Sequence, residues 1–133
     1  MSLSKNKLYD RTQNGTIYDL PVASGVKLYQ GAFVCMSATG YANEAAATSG
    51  FRAVGIAYYQ ADNTSGDNAA INVSVERGAT IYYPNTNAAV TDINLAVYAT
   101  ADDTLTTTSG ASGKFGEIVK VATSAGWYVK MVD

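Results

Sequence analysis

Eight short runs of β-branched and aromatic residues, each stopped by Gly, Ser, Thr, Asn, Asp or Pro, most limit what this chain can fold into. Ile71-Asn72-Val73-Ser74-Val75-Glu76 alternates apolar and polar residues, as a strand with one covered face must. Ala32-Phe33-Val34-Cys35-Met36 is a compact apolar run, and Ala53-Val54-Gly55-Ile56-Ala57-Tyr58-Tyr59 sets Val54, Ile56 and Tyr58 on one side. Thr80-Ile81-Tyr82-Tyr83 ends at Pro84, which offers no N–H to a ladder. Leu95–Thr100 reaches Thr104–Thr108 through Asp102-Asp103, which reads as a tight turn. Glu117–Val121 and Trp127–Met131 close the set across Ser124-Ala125-Gly126. Helix finds one opening, Asn43-Glu44-Ala45-Ala46-Ala47-Thr48, one or two turns behind an Asn cap. The pattern predicts an all-β fold, a small β-sandwich or barrel of short antiparallel strands with at most one short helix, over residues 26–133. It also contains an echo. Val34–Ala38 followed by Gly50–Ile56 resembles Val97–Ala101 followed by Gly113–Ile118.

Residues 1–25 lack any period. Leu3, Leu8, Tyr9, Ile17, Tyr18 and Leu20 are scattered among polar residues, and Pro21 favours extension. This segment reads as an extended N-terminal arm ordered by lying on something else, removable without unfolding the β domain. Through Lys27 it carries Lys5, Lys7, Arg11 and Lys27 against Asp10 and Asp19, net +2; residues 28–133 carry five basic and nine acidic groups, net −4. At 133 residues the chain suits one core. Its polar start has no apolar signal core, so no cleaved leader is expected, and no run approaches a membrane span.

Composition weighs against an enzyme. The chain has no His, which removes the commonest general base and metal ligand. One Cys, Cys35, excludes an intramolecular disulfide and a Cys-cluster zinc site; within Phe33-Val34-Cys35-Met36 it reads as a buried small hydrophobe. Asp62-Asn63-Thr64-Ser65-Gly66-Asp67 mimics a calcium loop, yet its glycine falls at position five and Val73 at position twelve. The glutamates are Glu44, Glu76 and Glu117; the last two stand on or beside strands, where an outward, solvated role is expected. No carboxylate pair is singled out for acid–base work. Catalytic residues, cofactor and metal are therefore all expected to be none. The net charge of −2 offers no field for nucleic acid or a membrane surface. Ten tyrosines say more, because Tyr58-Tyr59 and Tyr82-Tyr83 each put one ring on either face of a sheet. Tyr suits a boundary that is dry on one side and wet on the other.

The order of these elements resembles the head decoration, or cement, proteins of tailed bacteriophages. The resemblance rests on Gly31-Ala32-Phe33-Val34, then Val54-Gly55-Ile56-Ala57, then Gly66-Asp67 leading to Ile71-Asn72-Val73-Ser74-Val75-Glu76-Arg77-Gly78. Ala96-Val97-Tyr98 with Thr104-Leu105-Thr106 follows, and Gly116-Glu117-Ile118-Val119 ends it, so about residues 26–122 are covered. Asp92-Ile93-Asn94 departs from the pattern, where a Gly is expected, and the arm matches no motif. The resemblance implies a non-enzymatic virion protein, made in the bacterial host cytoplasm, that binds the outer capsid surface. Its partners would be the major capsid protein and two further copies in a trimer. On that reading Lys5, Lys7, Leu8, Tyr9 and Arg11 are expected to contact capsid or a neighbouring copy, and Tyr82 and Tyr83 a subunit interface. The competing expectation is a glycan- or host-binding β module of a phage spike or tail fibre, with exposed Tyr rings stacked on sugars.

Overall fold

Alternation along the strands, interrupted at register slips, separates two cores in a sandwich of antiparallel sheets. The computed structural model describes residues 3–110 and 113–132. Its strands are β1 (Arg11–Gln13), β2 (Thr16–Pro21), β3 (Lys27–Leu28), β4 (Phe33–Met36), β5 (Ala42–Glu44), β6 (Arg52–Ala57) and β7 (Ala61–Asp62). There follow β8 (Asn72–Arg77), β9 (Thr80–Pro84), β10 (Ala96–Ala101), β11 (Thr104–Thr106), β12 (Lys114–Ala122) and β13 (Gly126–Met131). A 3-10 turn spans Val90–Asp92, and no α-helix occurs among the described residues. One sheet has the order β1-β9-β13-β12-β10-β11, the other β2-β8-β6-β4-β5, and β3 pairs with β7 alone.

Phe33, Cys35, Ala53 and Ile56 on one side of the five-stranded sheet meet Ile81, Val97, Phe115, Ile118, Trp127 and Val129 of the other sheet. Their chain neighbours Val34, Val54, Val73 and Val75 point the opposite way, into a second core with Val22, Leu28, Ala32 and Ala61. That sheet curls over its contents until its far ends touch. Val22 bridges Ala42 in parallel, and the Ala23 N–H donates to the Ala42 carbonyl at 3.0 Å. Sandwich and small barrel are thus both present, one sheet serving each. The echo has a structural counterpart as well. β5-β4-β6 and β11-β10-β12 share one pairing order, and the pairs Val34↔Gly55 and Val97↔Gly116 each precede a slip in register.

Three expectations change. The Asn43–Thr48 segment forms no helix; β5 takes its start, and the Ala45 N–H donates to the Phe33 carbonyl. An isolated turn of helix repays its nucleation cost poorly, whereas strand pairing here buries Ala42 and Ala45. Glu76 is 2% exposed rather than solvated. Residues 1–25 do not lie outside the sheets: β1 joins the first beside β9 and β2 joins the second beside β8. The β9 partners lie 67 to 70 residues away in sequence (81 − 11, 80 − 13) and the β8 partners 51 to 61 (72 − 21, 77 − 16), so no local pattern announces the pairing.

Candidate functional site

Residues 3–10 form a strap across the joint between the sheets. The Leu3 N–H donates to Asp102 Oδ1 at 2.8 Å, and the Lys7 N–H donates to the Gln30 carbonyl at 2.8 Å. The Gln30 N–H donates back to Asn6 Oδ1. Gly31 sits under this crossing with φ +87°, and a Cβ there would run into the Lys7 carbonyl. The strap then drives Tyr9 into the first core, where its ring stacks on Phe33 at 5.5 Å between centroids. Tyr9 is 5% exposed and Lys7 Nζ lies 4.8 Å above its ring. Burial, reinforced by Tyr83, Asp103 and Asp102, pushes the Tyr9 phenol above its ordinary range.

Arg11 follows Tyr9 and turns back under the strap. Its Nε donates to Glu76 Oε1 at 2.5 Å and its Nη1 to the Tyr9 carbonyl at 3.1 Å. The Gly15 N–H donates to Glu76 Oε2 at 2.9 Å, so both carboxylate oxygens are held. The guanidinium and the two hydrogen bonds stand in for the water that burial takes from the carboxylate. The pair floors an open cleft of about 360 Å³ lined by Arg11, Asn14, Gly15, Ile17, Tyr58 and Glu76. Tyr59 packs on the lining residue Tyr58, edge to face at 4.9 Å between centroids. Tyr59 is exposed, as are Ile17 and Leu8, the latter to 74%.

Two further surfaces stand apart from this one. Val90, Ile93, Leu95 and Val119 are exposed around the 3-10 turn. Asp92 fixes that turn, its Oδ2 accepting from the Ala89 N–H and from Trp127 Nε1, each at 2.9 Å. On the outer side of the first sheet, Tyr82 packs against Tyr128 at 5.1 Å, with Lys120 Nζ over the Tyr128 ring.

The seven contact residues expected from sequence therefore divide. Lys5 and Leu8 are exposed and Lys7 half-buried, together on the strap. Tyr9 faces the core, and Arg11 is paired with Glu76 in the lining of the cleft. Tyr82 is half-buried against Tyr128. Tyr83 lies between Phe33 and Trp127, and its hydroxyl accepts the Leu105 N–H at 3.1 Å, which makes it a packing residue. Sequence reasoning missed Glu76, whose position beside Ser74 in an alternating run gives no sign that β1 covers it. It also missed Asn63, whose Nδ2 donates to the carbonyls of Val22, Ala23 and Asp67 and so ties the Asp62–Asp67 loop to itself and to the chain after β2. Cys35 is buried, and burial pushes its thiol up to about 11. Among the described residues no group of three His, Cys, Asp or Glu is placed to hold a metal, and no helix is long and apolar enough to cross a membrane. Compared with known proteins, the chain matches no family model, no curated protein and no solved structure.

Proposed function

We propose that this chain is a structural virion protein that binds the outer surface of a tailed-phage capsid and stabilises it by bridging neighbouring capsomers. The observation that carries this reading is the ordered series of strand motifs from Gly31 to Val119, a property of the sequence. Physical support comes from how the surface is built. Leu8, Lys5 and Lys7 project from a strap whose backbone is hydrogen-bonded at Leu3 and Lys7 and anchored through Tyr9, so contacts made there cost little ordering entropy. The aliphatic group at Val90, Ile93, Leu95 and Val119 is a second contact region, and the Tyr82–Tyr128 face serves a three-fold association of copies. Repeated weak contacts of this kind suit a shell, where each particle gains avidity from many copies. Mixing the protein with expanded empty capsids and sedimenting the particles tests the reading. Wild type should co-sediment in hundreds of copies per particle, and Leu8→Asp or Lys5→Glu/Lys7→Glu should lose association while keeping the fold. Undecorated capsids, or variants that bind as wild type does, would overturn it.

A second reading has one observation of its own. The Tyr58–Tyr59 pair at a polar cleft with Asn14 and Arg11 has the makings of a sugar platform, aromatic faces beside hydrogen-bonding groups. Glycan-array binding that disappears in Tyr59→Ala, with no capsid association, would favour a host-binding module instead.

A further inference from the structure

Of the four edges of the two large sheets, three are short. β1, β5 and β11 have three residues each, and β5 is further covered where Ala42 meets Val22. β2 differs. It has six residues, and Thr16, Ile17, Tyr18 and Asp19 are all exposed. Proteins ordinarily blunt such an edge with charge, Pro or a bulge. Here the only charge is Asp19, and Pro21 comes at the end.

The direction of each backbone group on β2 follows from its neighbours. The Tyr58 N–H donates to the Ser74 carbonyl, so the even residues of β8 serve β6. The odd residues of β8 then serve β2, where Val75 pairs with Tyr18 and Val73 with Leu20. The Val22 N–H, donating to the Ile71 carbonyl, continues that phase. It follows that Ile17 and Asp19 turn their N–H and C=O groups away from β8. Among the described residues, no hydrogen bond reaches them there. On either side the row stops, because the Gly15 N–H is taken by Glu76 and Pro21 has none.

We propose that β2 pairs antiparallel with β2 of a second copy about a two-fold axis at Tyr18. The free edge is symmetric about that residue, with one open peptide pair on each side. A two-fold pairing matches Ile17 with Asp19 of the other copy and Asp19 with Ile17, closing both pairs reciprocally. The two Tyr18 residues then face each other as a non-hydrogen-bonded pair, the closer of the two antiparallel spacings. Charge selects this register over its neighbour. An axis at Asp19 would set the two Asp19 carboxylates opposite each other, which is unfavourable. With the axis at Tyr18 they lie at opposite ends, each beside Ile17, on the side of the sheet where Arg11 lines the cleft. The pairing joins two five-stranded sheets into one, and its two-fold symmetry is independent of the capsid reading.

Register-specific disulfides test the proposal. In the full chain, oxidised Tyr18→Cys should give a covalent dimer on a non-reducing denaturing gel, since facing Cα atoms at about 4.5 Å fall within disulfide reach. Ile17→Cys should not, because its two copies are displaced along the strands. Cys35 is buried and supplies the same background to both variants. Asp19→Pro removes an outward N–H and spares the backbone bonds to β8, losing there only the side-chain bond that Ser74 Oγ donates to Asp19 Oδ1 at 2.7 Å; it should lower the sedimenting mass at high concentration while keeping the wild-type circular dichroism. Failure of Tyr18→Cys to cross-link, or equal cross-linking through Ile17→Cys, would overturn the proposal. So would an Asp19→Pro protein that is folded and associates as wild type does.

Discussion

The two hydrophobic cores share a sheet and use different residues. Between the sheets lie Tyr9, Phe33, Phe115 and Trp127, whereas the buried apolar cluster inside the curled sheet is made of Val, Leu and Ala. The boundary between these compositions runs along single strands, with Phe33 on one side of β4 and Val34 on the other. Sheets packed face to face stand about 10 Å apart and leave room for rings. The concave side of a strongly curled sheet does not. The N-terminal segment closes both spaces, sending Tyr9 into the first and Leu3 and Leu20 against the second. A segment without periodicity therefore performs the most distributed structural role in the molecule.

Removing that segment is the harshest way to break the comparison. Deleting residues 2–20 takes away β1, nearly all of β2 and the Tyr9 ring, leaving β8 and β9 with unpaired edges. The truncated chain should lose amide dispersion in NMR spectra and its cooperative thermal transition. Retention of both would restore the detachable arm.

Single substitutions should then rank the two cores. Phe33→Ala removes a ring packed against Tyr9, Tyr83 and Phe115, and should cost about 3–5 kcal/mol in urea unfolding. Val34→Ala, one residue on but inside the curled sheet, removes two carbons and should cost about 2 kcal/mol. Equal losses would show that ring size does not distinguish the cores. Arg11→Ala strands Glu76, 2% exposed, beneath β1, and by comparison with other broken buried pairs should cost about 3 kcal/mol. The paired change to Met at Arg11 and Leu at Glu76 should recover much of it.

The smallest effect lies at the seam between the cores. The Asp102 carbonyl accepts the Phe33 N–H, and its carboxylate accepts the Leu3 N–H. Burial raises the Glu44 carboxyl above its usual 4.5, with Asp102 adding to the effect. Burial likewise raises Asp102 above 3.8, with Asp103 adding and the Leu3 N–H opposing. Raised folded values mean that the fold holds these protons more tightly than the unfolded chain does. Their contribution to stability is greatest below the ordinary values and falls as pH rises through the raised ones. Asp62 is lowered by its Thr64 hydrogen bonds, so it acts in the opposite sense and only below about 3.8. Urea midpoints should thus decline from about pH 4.5 toward neutrality, and Glu44→Gln should flatten that slope.

Local chemistry made the strands legible. Ile71–Glu76 alternates, Pro84 ends β9, and the turns at Asp102-Asp103 and Ser124–Gly126 sit where their residue types prefer to bend. The Tyr82-Tyr83 pair was legible as one ring per face, but packing on Phe33 and Trp127 decided that Tyr83 is the inner one. The Arg11–Glu76 pair, the burial of Tyr9 and the free edge of β2 were not legible. Each depends on a pairing between the first 21 residues and a strand 51 to 70 residues later (72 − 21 to 81 − 11), and nothing in a local run encodes which distant strand will lie beside it. By itself the sequence determined which residues extend, where they turn and which alternate. Only the tertiary structure decided which of the two alternating faces is covered, because coverage is a property of the neighbour and not of the strand.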